Sequence, residues 1–89
     1  MEKIIEETLE VVNELVKKEY TVEYYKDGNH LVFYIPNGIK DWFRTFIHIE
    51  WVEKQEDKVE FLVDVIIGAI KNTCENVLDT YRWQFKELK

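Results

Sequence analysis

Asp27-Gly28-Asn29 constrains this chain more than any other three residues. Glycine accepts the positive φ that a tight hairpin turn demands, and Asp and Asn are the residues that flank such turns best. The runs on either side alternate with the period of a strand. Tyr20, Val22 and Tyr24 face one way, with Thr21, Glu23 and Tyr25 opposite; beyond the turn, Leu31, Phe33 and Ile35 oppose His30, Val32 and Tyr34. Two β-rich runs about an Asp-Gly turn predict a hairpin over 20–35. Pro36-Asn37-Gly38 ends the second strand, because proline cannot donate to a ladder and Asn-Gly favours a turn.

The hairpin is framed by other periodicities. Over residues 2–19, Ile5, Leu9, Val12, Val16 and Tyr20 recur at helical spacing, with glutamates in the first turns and Lys17-Lys18 at the end, which suits the helix dipole. From Trp42 to Val52 the chain is β-branched and aromatic and predicts a third strand, although Phe43, Phe46, Ile47 and Trp51 also fit helical spacing. Its faces are Phe43, Thr45, Ile47, Ile49 and Trp51 against Trp42, Arg44, Phe46, His48 and Glu50. Glu53 to Lys58 reads as a charged connection.

The last third fits two patterns. Val59, Val63, Ile66, Ile70, Cys74, Val77, Tyr81 and Phe85 keep helical spacing, while Val59, Phe61, Val63, Val65 and Ile67 also alternate like a fourth strand over 58–67. The polar face that continues past Gly68 favours one helix, with Asp57 and Glu60 as a capping box. A helix over 58–87 would be about 45 Å long, against ~30 Å for a compact domain of this size. It must therefore bend near Gly68 or Asn72, or project toward a partner. The expectation is a single α+β domain over 1–89 in the order α-β-β-β-α: a three-stranded antiparallel meander with two helices packed on one face.

Charge and composition narrow the function. Eighteen acids against 12 basic side chains give a net charge of −6, which argues against binding nucleic acid or anionic membrane directly. With 46% apolar residues the chain is not a disordered acidic tail. No apolar run is long enough to cross a bilayer, and the charged amino terminus is unlike a signal peptide. A lone cysteine, Cys74, fits the reducing cytoplasm of a cell or infected host, and on the apolar stripe it reads as a small buried hydrophobe.

Chemistry is sparse. There is no serine, no glycine-rich phosphate loop and no clustered ligand set, so no catalytic residue, cofactor or metal is expected. His30 and His48 share one sheet face and read as surface histidines rather than ligands.

Two features point to partners. Tyr25, Tyr34, Trp42, Arg44, Phe46 and His48 fall on the sheet face that the helices leave uncovered, and Trp83 falls among polar positions of the last helix. Exposed aromatics of this kind mark interfaces. Acid is also concentrated. Residues 2–19 carry six acids against three lysines and residues 53–60 four against two, whereas 61–89 is neutral. Glu50, Glu53, Glu56, Asp57 and Glu60 make a candidate acidic patch.

The element order resembles the double-stranded-RNA-binding domain. That family carries lysines at the start of its last helix, where this chain has Glu56-Asp57-Lys58-Val59-Glu60, so the resemblance extends to topology alone. Lys18-Glu19-Tyr20-Thr21-Val22, where the first helix meets the first strand, is similar to the corresponding junction of a phage-encoded anti-CRISPR inhibitor. The likeness covers five residues and implies an acidic protein that mimics DNA or blocks a nucleic-acid-handling partner.

The expected function is thus a non-enzymatic protein-interaction domain, self-associating as a homodimer through the aromatic sheet face or the last helix. The alternative is a small phage- or virus-type inhibitor docking its acidic patch on a nucleic-acid-binding protein.

Overall fold

A computed structural model of the chain describes residues 1–36, 43–74 and 77–78. Its elements run α1 (Glu2–Leu15), β1 (Glu23–Asp27), β2 (His30–Tyr34), β3 (Arg44–His48), α2 (Ile49–Glu53) and α3 (Lys58–Cys74). The strands form one antiparallel sheet in the order β1-β2-β3, so the expected α+β meander stands, with a short extra helix inserted.

The hairpin sits where the turn chemistry put it. Asp27 pairs with His30, leaving Gly28 and Asn29 as a two-residue loop, and Gly28 adopts φ +61°. That left-handed backbone is open to glycine at little cost and to few other residues. β1 begins at Glu23 rather than Tyr20, because Val22 is held by a side chain of α1: its N–H donates to Asn13 Oδ1 at 2.7 Å and its carbonyl accepts from Asn13 Nδ2 at 3.2 Å.

α1 stops at Leu15, where a helix running on to Glu19 was expected. Val16 turns extended (φ −97°, ψ 160°) and forms an antiparallel bridge with Leu78, while the Lys17 amide donates to the Val77 carbonyl at 2.8 Å. Lys17 and Lys18 therefore lie beyond the last turn of α1 and not within it. The same bridge overturns an uninterrupted helix over 58–87, since Leu78 is in an extended pairing. α3 has 17 residues, about 25 Å at the helical rise, which fits inside a molecule 32 Å across and needs neither a bend nor a projecting end.

Residues 58–67 are helical throughout. Leu62, Val63, Ile66, Ile67 and Ile70 are buried at spacings of one, three, one and three, the pattern of a broad helical stripe and not of a strand. Asp57 caps this helix, its Oδ1 accepting the Glu60 amide at 3.0 Å.

The third strand ends at His48, where a strand through Val52 was expected. β3 runs out of partner there, because its neighbour β2 begins at His30; the Ile49 amide makes one last bond, to the Asn29 carbonyl at 2.8 Å. With nothing left to pair, the chain coils into α2. His48 Nδ1 accepts the Glu50 amide at 3.2 Å and so caps the turn. This change of period rotates Trp51 off the core side, and it is 64% exposed.

The core lies between the helices and one sheet face. Ile5, Val12 and Leu15 of α1 pack on α3, and this layer meets Leu31, Phe33 and Ile47 of the sheet together with Val22, Phe43 and Val52. Leu9 and Ile49 are half-buried at its rim.

Candidate functional site: the outer face of the sheet

Period-two alternation and register decide what the uncovered sheet face carries. Three cross-strand rows cross it: Glu23, Tyr34 and Arg44; Tyr25, Val32 and Phe46; Asp27, His30 and His48. Five of the expected surface residues, Tyr25, Tyr34, Arg44, Phe46 and His48, are thereby brought onto one face. Trp42 and Trp83 lie outside the described residues, as do the Asn37-Gly38 turn, the Cys74 side chain and the expected helical positions Tyr81 and Phe85.

The face is apolar at its centre and wet at its margins. Val32 is 0% exposed although none of the described helices covers this side. Its cross-strand neighbours are Tyr25 and Phe46, and Tyr34 and His30 stand two residues away on its own strand, so four rings surround it. The rings pack along two diagonals and one directly opposed pair. Tyr25 meets Tyr34 edge-on with centroids 5.5 Å apart, His30 meets Phe46 at 6.3 Å, and His30 meets His48 at 5.1 Å. Such edge-to-face pairs stabilise the arrangement beyond their area alone. Phe46 nonetheless remains 53% exposed and Tyr25 38%. Apolar ring surface thus stays in water beside a fully buried valine.

Polar groups at the ends of the face are tied in. The Tyr34 hydroxyl donates to Glu23 Oε1 at 3.2 Å. Partial desolvation, and then the Glu23 carboxylate that accepts this bond and repels a phenolate, hold the Tyr34 hydroxyl above the ordinary phenol pKa. His48 uses Nδ1 for the Glu50 amide, so the neutral ring carries its proton on Nε2. Among the described residues no three or more His, Cys, Asp or Glu side chains are grouped to hold a metal ion, and no helix is long and apolar enough to cross a membrane.

The acidic residues form a second surface. Glu50 and Glu53 ride on α2, Glu56 and Asp57 on the connection, and Glu60 on the first turn of α3; all five are exposed. α1 adds to them across the helix layer, since Glu7, Asp57, Glu60 and Asp64 edge a shallow groove floored by Val11, Val59 and Val63. Two of the patch have duties within the chain. Asp57 caps α3, and Glu60 lies in the first turn, where its charge complements the helix dipole.

Sequence reasoning missed two parts of this picture. Asp27, read only as a turn residue, shares the outer face with Glu23, which the alternation sets beside Tyr25 without naming it as a surface contact. Trp51 required knowing that β3 stops at His48, which no local pattern announces. No known protein family, curated protein or solved structure matches the chain.

Proposed function

We propose that this chain is a non-enzymatic protein-interaction domain that docks through the outer face of its sheet. The observation that carries the reading is Phe46, half exposed beside Tyr25 around a fully buried Val32. A three-stranded sheet with one face on helices leaves the other face to water, and such faces ordinarily alternate to polar residues. Here the centre of that face is aromatic instead. Covering it removes apolar area from water at little ordering cost, because the Tyr25 and Phe46 rings are already braced by Tyr34 and His30.

The test is quantitative affinity capture from the native cell, with the wild-type chain and with Phe46→Lys as baits. Lysine's aliphatic stem keeps Val32 shielded while its charge forbids an apolar partner. Proteins, this chain included, that are recovered by the first bait and lost with the second support the reading. Identical recovery by both baits would overturn it.

A second reading, an inhibitor docking acid on a basic nucleic-acid-handling surface, is favoured by the groove in which Glu7, Asp57, Glu60 and Asp64 converge. Reversal at Glu7 and Asp64, both exposed on this groove, leaves the Asp57 cap intact. If this reading holds, the reversal abolishes capture of a salt-sensitive, basic partner; unchanged capture removes the patch from consideration.

A further inference from the structure

We propose that the partner of the outer face is a second copy of this chain, stacked face to face about a twofold axis that runs along the strands. The proposal rests on the interaction reading above and names its partner. What selects the copy and the axis is the distribution of charge across the sheet.

β1 and β3 run in the same direction on either side of β2. Their outward residues therefore form two parallel columns. The β1 column is Glu23, Tyr25 and Asp27, an aromatic between two carboxylates. The β3 column is Arg44, Phe46 and His48, an aromatic between a guanidinium and an imidazole. The register sets the three residues of one column level with the three of the other.

A twofold axis parallel to the strands lays each β1 column on the β3 column of the other copy. Glu23 then meets Arg44, Tyr25 meets Phe46 and Asp27 meets His48, and each meeting occurs twice. Val32 lies on the axis, facing itself. The contact is self-complementary, as a closed dimer requires, and keeps the two sets of strands aligned, as stacked sheets prefer. A twofold axis across the strands lays each column on its own copy: Glu23 then opposes Asp27 and Arg44 opposes His48. Carboxylates facing one another at an interface are penalised, and Glu23 against Asp27 does so twice, so the first axis is the one this surface accepts.

His48 fits its place in this pairing even as a neutral ring. Because Nδ1 is taken by the Glu50 amide, the N–H is on Nε2 and is a donor suited to the Asp27 carboxylate of the other copy.

The contact is small. Three strands about 4.8 Å apart and five residues long span roughly 10 by 14 Å of backbone, well below the ~800 Å² per partner of a standard interface. The dimer is accordingly a weak one, with a dissociation constant on the order of 100 μM.

Sedimentation velocity of the full chain from about 20 μM to about 1 mM reads this directly, with a monomer-to-dimer shift expected across that range. Two charge variants test the columns, each checked for native circular dichroism. Glu23→Lys with Asp27→Lys makes both columns basic, and Arg44→Glu turns the Arg44 end of the β3 column acidic. Each alone is expected to weaken self-association at least about tenfold, and an equimolar mixture to regain it. Isotope-filtered NOE spectra on a mixture of labelled and unlabelled wild type then report the axis through contacts between Tyr25 of one copy and Phe46 of the other.

A wild type that stays monomeric at the highest concentration overturns the proposal. If Phe46-dependent capture of another protein persists in that case, the broader interaction reading survives its loss. A dimer indifferent to both charge variants, or one showing Phe46–Phe46 contacts in place of Tyr25–Phe46, overturns it as well.

Discussion

Asn13→Ala tests how the helical layer is joined to the sheet. Asn13 sits in the last turn of α1, a half-buried amide with both ends used on one residue: Oδ1 accepts the Val22 N–H at 2.7 Å and Nδ2 donates to the Val22 carbonyl at 3.2 Å. Val22 is 2% exposed and leads into β1, so its peptide groups have little recourse to water. Truncation removes two hydrogen bonds worth about 1 kcal/mol each and strands a buried amide, for a loss of about 2–3 kcal/mol. Alanine's better helix propensity returns only a few tenths, about 0.5 kcal/mol at most. For a domain of this length the total stability is about 4–13 kcal/mol. At about 4–8 °C per kcal/mol, the midpoint of thermal unfolding should fall by roughly 10–20 °C. Asn13→Asp keeps the acceptor for the Val22 amide but sets a carboxylate against the Val22 carbonyl, and should fall between alanine and wild type. Urea unfolding followed by circular dichroism gives both differences. A loss under about 0.5 kcal/mol for Asn13→Ala would refute the clamp.

Other perturbations have worked signs. Gly68 lies inside α3 with nothing within 4 Å of the position a Cβ would take, so Gly68→Ala should stabilise by about 0.5–1 kcal/mol in the same unfolding assay. The space at Gly28 is equally open, yet its φ of +61° makes Gly28→Ala destabilising by about 1 kcal/mol, and Gly28→Asn should cost less. His48→Ala removes the cap of α2 and should cost about 1 kcal/mol, whereas His48→Asn, which also presents an acceptor, should retain most of it. Tyr34 has a raised folded-state pKa, so its contribution is fully present below the ordinary phenol value and is lost as pH rises through the folded value. Tyr34→Phe should therefore flatten the alkaline limb of the stability–pH profile, measured from neutrality upward, relative to wild type.

Local patterns carried most of the architecture. The Asp27-Gly28-Asn29 turn and the flanking alternation foretold β1, β2 and which side chains share the outer face, because turn geometry and pleat are written within a few residues. The choice between strand and helix over 58–67 was legible only from the longer polar face beyond Gly68. What stayed hidden depends on distant residues. α1 ends at Leu15 because Leu78 bridges Val16, and β3 ends at His48 because β2 has no residue left to pair. The gathering of Glu7 with Asp57, Glu60 and Asp64 is likewise a product of α1 packing on α3, and no spacing along the chain encodes it.

The bridge between Val16 and Leu78 also bears on the order of assembly. It closes a loop of about sixty residues, an entropic charge of roughly 3–4 kcal/mol that a two-residue hairpin loop does not meet. The meander can therefore zip early from its Gly28 turn, with the latch between the end of α1 and Leu78 set only once α3 is in place. The Lys17 amide, bonded to the Val77 carbonyl, is then the clock hand for that last step: among backbone amides of the helical layer it should gain protection latest during refolding.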